Sequence, residues 1–209
     1  INITKQDVLM VRIDQSSKIP ATTFVRAMDE RYSSDESIVE EFHETKMVRT
    51  SALKPEMYAV TSIVDEKTGE ELVKAGCQIG DALTAIQNSD LKQVSVIQKV
   101  SDPLILNTLA EDTSRSHEEA LLRIYAKLRP GNPPQVDKAR KLFTERFYDE
   151  NRYRLGRVGR FRLNRKLGTT TPDEDMILHV EDVVECLKYL MLLRTGETQF
   201  EVDDIDHLG

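Results

Sequence analysis

The stretch Ser116-His117-Glu118-Glu119-Ala120-Leu121-Leu122-Arg123-Ile124-Tyr125-Ala126-Lys127-Leu128-Arg129-Pro130-Gly131-Asn132-Pro133-Pro134 decides the fold class of this chain. Ser116 with Glu119 three residues later has the spacing of a capping box. In that motif the hydroxyl takes one orphan amide and the carboxylate reaches back to the cap amide. Leu121, Leu122, Tyr125 and Leu128 then recur at helical spacing and form one apolar face. Arg129 to Pro134 ends the helix, because the prolines remove amide donors and Gly131 permits a sharp turn. Pro134 is placed to open a second helix, which is expected to bury Val136, Ala139, Leu142, Phe143 and Phe147.

Working outward, the same periodicity predicts a helix over Leu155 to Leu167. Another runs over His179 to Leu193, with Val180, Val183, Val184, Leu187 and Leu190 inward and Gly196 as its stop. Toward the N-terminus, Val8 to Ile13 alternates as a strand. Pro20 precedes a helix over Ala21 to Glu30, and Ser34 is a candidate N-cap for a helix through Ile38, Val39 and Phe42. Residues 46–112 have a different texture. Met57 to Val64 is β-like, and Asp65 to Glu70 is a turn between two strands. A short helix from Ile79 or Asp81 to Gln87 follows. Val94 to Ile97 and Leu104-Ile105-Leu106 are further strand candidates. The reading is α+β: a mostly helical body from 1–45 and 113–209, carrying a small mixed α/β insertion at 46–112.

With 209 residues, 39% hydrophobic and 31% charged, the chain has the composition of a globular domain, and its size buries roughly 70% of its unfolded surface. No apolar run approaches the ~20 residues that span a bilayer, and the start has no basic region followed by an apolar segment. The chain opens on Ile1 rather than Met and stops at Gly209 without a polar tail, so both ends are expected to be cuts within a longer chain. Cys77 and Cys186 form no CxxC pair and lack zinc-ligand spacing; two buried, reduced thiols are expected.

The net charge of −7 is unevenly spread. Residues 115–168 hold fifteen Lys and Arg against six Asp and Glu, a balance of +9, and the remainder carries −16. A basic segment within an acidic chain points to a localised anion-binding face. Its densest part is Arg152, Arg154, Arg157, Arg160, Arg162, Arg165 and Lys166, with no acid interleaved. Guanidinium forks match phosphate oxygens in pairs, and Gly156 and Gly159 would let a phosphate strand come close. A solvated face paired with the acidic remainder of the chain is the other reading. The acids between the arginines are missing, and that favours phosphate.

Asp203-Asp204-Ile205-Asp206-His207 groups carboxylates with a histidine, which reads either as a metal site or as a bare acidic turn. The histidines at 43, 117, 179 and 207 are scattered and suggest no triad. There is no GxxxxGK[ST] loop, no GxGxxG after a strand and no GxSxG elbow, so a self-contained enzyme is poorly supported.

Several stretches together resemble one family. Lys18-Ile19-Pro20-Ala21-Thr22-Thr23-Phe24-Val25-Arg26-Ala27 resembles the "KxPAT…LRA" segment of bacterial-type DNA-directed RNA polymerase β subunits. Leu128 to Pro134 resembles that family's "LRPGEPP" turn, with Asn132 in place of Glu. Arg152 to Arg160 resembles "RYDLGRVGR", and Leu163 to Leu167 matches "LNRKL". Glu201 to Gly209 matches "EVDDIDHLG". Arg154 departs from the family's usual Asp and adds positive charge. The motifs keep the family's order over nearly the whole chain; 46–112 matches more loosely.

The resemblance implies the β lobe, an internal part of a nucleotidyltransferase that grips promoter non-template strand and downstream DNA without catalytic residues of its own. It implies that Arg129 and Arg152 contact non-template phosphates or bases, and that Ile205, Asp206 and Leu208 help form a pocket for a non-template guanine. Arg157, Arg160 and Arg165 would extend the DNA surface. The family's catalytic magnesium is held by the β′ subunit, so no cofactor or metal is expected in this chain. The implied partners are DNA, the β′, α and ω subunits and sigma factor, in the cytoplasm at the nucleoid. A second reading stays open, in which the basic face is a scaffold for sigma factor or another acidic regulator.

Overall fold

A computed structural model describes residues 1–16 and 18–196. The chain begins with a three-stranded antiparallel sheet of β1 (Asn2–Ile3), β2 (Leu9–Val11) and β3 (Ile19–Pro20), in that order. Pro20 opens α1 (Ala21–Met28), every residue of which is buried. The helix stops two residues short of the expected Glu30. Asp29 turns extended there, and its carboxylate takes the Arg31 amide at 2.8 Å. Ser34 caps α2 (Asp35–Phe42) as its sequence position suggests, accepting the Ser37 amide at 3.2 Å.

Next comes β4 (Lys46–Arg49), then β5 (Tyr58–Ala59), the hairpin β6 (Ile63–Val64) and β7 (Glu71–Val73), α3 (Leu83–Asn88) and β8 (Gln93–Ile97). Strand β8 is central, with β4 and β5 antiparallel on either side. The Asp65 to Glu70 turn joins β6 and β7 as expected. These elements enclose their own small core, including Leu53, Met57, Ile63, Ile79, Ile86 and Val96. Leu104-Ile105-Leu106 is not a strand. It opens α4 (Leu104–Glu111), where all three side chains are buried in the larger core. Apolar runs this short carry no period that separates helix from strand. The last part of the 46–112 stretch therefore packs with the helical body.

That body is completed by α5 (His117–Leu128), α6 (Val136–Phe147), α7 (Gly156–Leu167) and α8 (Val180–Thr195). Leu121, Ile124, Ala139, Phe143, Val184 and Leu187 meet α1 and α4 in one cluster. Each fully buried aliphatic side chain there contributes on the order of 1.5–3 kcal/mol. Ser116 caps α5 by taking the Glu119 amide at 3.2 Å, but the Glu119 carboxylate reaches one residue beyond the expected amide, to Arg115 N at 2.8 Å. Gly196 closes α8 in the left-handed region, at φ 70°. Cys77 is exposed and not buried as expected; Cys186 is half-buried, and burial pushes its thiol up.

A buried acceptor ties the two halves of the body together. The Asp112 carboxylate receives Thr22 Oγ1 and Thr23 Oγ1 at 2.8 Å each, Arg26 Nε at 3.2 Å and the Ser114 amide at 2.9 Å. Arg26 also pairs with Asp35 and donates to Ser33 O at 2.5 Å. Ala21 to Ala27 therefore carries structural side chains, and the strongly patterned segment at its start fixes α1 in the core.

Candidate nucleic-acid interface

Two of the expected DNA-contacting residues come together. Arg129 is the C-cap of α5, its amide bonded to Tyr125 O at 2.8 Å. Gly131, at φ 86°, turns the chain toward α6. Arg152 sits in a tight turn after α6, where its amide meets Asp149 O at 2.9 Å. Both line a cleft of about 490 Å³, together with Arg12 beyond β2 and Arg146 in the last turn of α6. Phe24, Phe147 and Leu142 contribute its apolar wall. Phe24 and Phe147 lie edge-to-face at 5.3 Å, and Phe143 and Phe147 are 4.7 Å apart, so the wall is backed by packed aromatic rings.

The cleft is lined by four arginines and one carboxylate, Asp14. Asp14, in the left-handed region at φ 51°, pairs with Arg146. Arg152 has Glu145 and Asp149 only at 3.9 and 3.7 Å, in exposed geometry that solvent screens. Arg12 and Arg129 have no ion pair among the described residues. Beneath the cleft, Tyr148 donates to Met28 O at 3.0 Å, and burial first, then nearby Asp29 and Glu181, push its hydroxyl up to about 12. It is a structural donor that anchors the turn carrying Arg152.

The arginine run divides in two. Arg157, Arg162 and Arg165 are exposed on α7 and make no ion pair among the described residues. Arg154 lies before the helix. Arg160 corrects the expectation of a surface contact. It is 0% exposed, and its guanidinium is used up by Asp182 Oδ1 at 2.7 Å, Asp175 O at 2.8 Å and Ile177 O. A charge placed there has no path to a phosphate; it locks α7 onto the loop before α8. Gly159 is half-buried, and an added Cβ would meet Leu155 Cβ, just before the helix, at 3.4 Å. Gly156 is needed for a different reason, its φ of 71°.

Ile205, Asp206 and Leu208 lie outside the described residues. Among the described residues, no three His, Cys, Asp or Glu side chains group as metal ligands, and no helix is long and apolar enough to cross a membrane. Sequence reading missed Arg12 and Arg146. One follows a short strand and the other ends a helix, and neither position carries a local motif.

Comparison with known proteins gives the family of the chain. Residues 82–209 match the family described as RNA polymerase Rpb2, domain 2, and the chain belongs to that family. Over its whole length it is 48% identical to the DNA-directed RNA polymerase subunit beta of Rhodopirellula baltica. It is 37% identical over 97% of its length to the subunit beta of Protochlamydia amoebophila, and equally so to that of Chlamydia pneumoniae. The chain spans 18% of the first of these proteins and 17% of the other two.

Proposed function

We propose that this chain is the DNA-gripping lobe of an RNA polymerase β subunit and performs no catalysis by itself. The observation that carries the reading is the convergence of Arg12, Arg129, Arg146 and Arg152 on one cleft from four separate places in the sequence. Asp14 pairs with Arg146, but Arg12 and Arg129 have no carboxylate partner among the described residues, so the cleft keeps a positive charge that an anion would neutralise. A nucleic-acid strand supplies that anion, with Arg157 and Arg165 of α7 continuing the track beyond the cleft. In this reading the strand is the promoter non-template strand and downstream DNA. Ile205, Asp206 and Leu208 would add a guanine pocket, where a carboxylate accepts from the base's ring and amino donors.

Nucleotide addition belongs to the assembled enzyme, with magnesium held by the β′ subunit. The partners are β′, α and ω subunits and sigma factor, in the cytoplasm at the nucleoid. The test uses assembled polymerase on promoter DNA over a salt series, comparing wild type with Arg129→Ala, Arg152→Ala, Arg157→Ala and Arg165→Ala. Each lost phosphate contact is expected to shallow the salt dependence by about 0.7–0.9 in log–log slope. Unchanged slopes in all four variants would refute the reading.

A further inference from the structure

We infer that Phe161 is a stacking platform for an unpaired base, which makes the outer face of α7 a single-strand site. The inference rests on the DNA reading above and adds to it a residue that stacks on a base. Phe161 is 53% exposed, and the neighbouring Arg160, about 100° round the same helix, is fully buried. Because Arg160 is held at three points, the roll of α7 is fixed and Phe161 is held outward. Arg157 and Arg165 stand one turn before and one turn after it, on the same ridge at i, i+4 spacing. Both are exposed and free of carboxylates among the described residues. The ridge from Arg157 to Arg165 is about 12 Å long at 1.5 Å per residue.

A ligand for this ridge must offer a flat apolar face between negative charges. A nucleic-acid strand does so, with a base over the ring and phosphates at the two guanidiniums. A duplex does not, since its base faces are already stacked and covered. Along the chain, the ridge follows directly from the cleft residues Arg152 and Tyr153 through Arg154. Tyr153, 40% exposed at the cleft wall, is a second aromatic on that basic track. An acidic protein segment is the competing occupant. Exposed Val158 beside Phe161 would suit it, but the aromatic and basic alternation running on from the cleft favours the strand.

The test replaces Phe161→p-benzoylphenylalanine and, separately, Tyr153→p-benzoylphenylalanine in assembled polymerase. Each is irradiated on DNA with a mismatched bubble and on the fully paired duplex. The expected result is a DNA crosslink from position 161 on the bubble and none on the duplex. A crosslink from 161 to a polypeptide, to both DNAs equally, or to nothing overturns the inference. If position 153 still crosslinks DNA in those cases, the cleft reading survives; if neither position crosslinks DNA, both readings fail. Phe161→Ala is expected to weaken bubble binding by about 5- to 150-fold and Phe161→Trp to retain it. Equal binding by wild type and Phe161→Ala also overturns it.

Discussion

The Arg160 guanidinium donates to Asp182 Oδ1 at 2.7 Å, with the arginine side chain fully buried and the aspartate nearly so. The pair joins α7 to the first turn of α8. Asp182 also takes the His179 amide at 2.9 Å, so the same carboxylate caps α8 and neutralises the buried cation. Removing one partner leaves an uncompensated buried charge, which costs about 3–5 kcal/mol. Arg160→Ala is therefore expected to lower stability by that amount in urea unfolding, while Arg160→Met with Asp182→Leu loses much less. Equal losses in the two would show that the packing of the site, and not the pairing, is what matters.

Asp112 offers a second check on buried charge. Asp112→Ala strips partners from Thr22, Thr23 and Arg26 together. A loss of roughly 3–5 kcal/mol is expected, with Asp112→Asn intermediate because it keeps an acceptor and the shape. Denaturant midpoints at constant slope measure both.

Gly76 sits where the small β-rich core meets the helical body. Its φ is 77°, and an added Cβ would lie 2.9 Å from Leu109 Cδ2 and 3.6 Å from Val39 Cγ2. Gly76→Ala is expected to cost about 1–3 kcal/mol for overpacking, with about 1–2 kcal/mol more for the left-handed backbone. Gly69→Ala, at a similar φ with open space around it, carries only the backbone cost. Thermal unfolding of the two variants separates the terms.

His43 gives a pH dependence. Burial pulls its imidazole below the ordinary 6.5, with Asp102 opposing, and Nε2 has no hydrogen-bond partner among the described residues. The folded state then binds fewer protons than the unfolded state below that value, so stability rises with pH there. The contribution is complete above 6.5 and declines as pH falls from there toward the lower folded value. Urea midpoints between pH 5 and about 7.5 should show this slope in wild type, and His43→Leu should flatten it. An unchanged slope would assign the effect to other groups.

Much of the helical body was legible in the sequence, because its signals are local. The Ser34 and Ser116 caps, the prolines after Arg129 and the stop at Gly196 act through neighbouring backbone, and the apolar faces of α5 and α8 repeat at 3.6 residues. The hairpin turn at Asp65 to Glu70 is local in the same way. Leu104 to Leu106 resembles a strand in the sequence because three apolar residues show no period; the core that receives them is built from residues distant in sequence.

The sequence by itself determined the α+β class, the basic segment and, through its motifs, the family. It could not sort the arginines. Arg157 and Arg160 look alike in a linear string, yet one is exposed and the other is sealed against Asp182, because burial depends on what another helix brings to the same point. The cleft was equally hidden, since Arg12, Arg129, Arg146 and Arg152 become neighbours only when sheet, turn and helices pack. Local chemistry decides where elements begin and end, and long-range packing decides which charges face solvent.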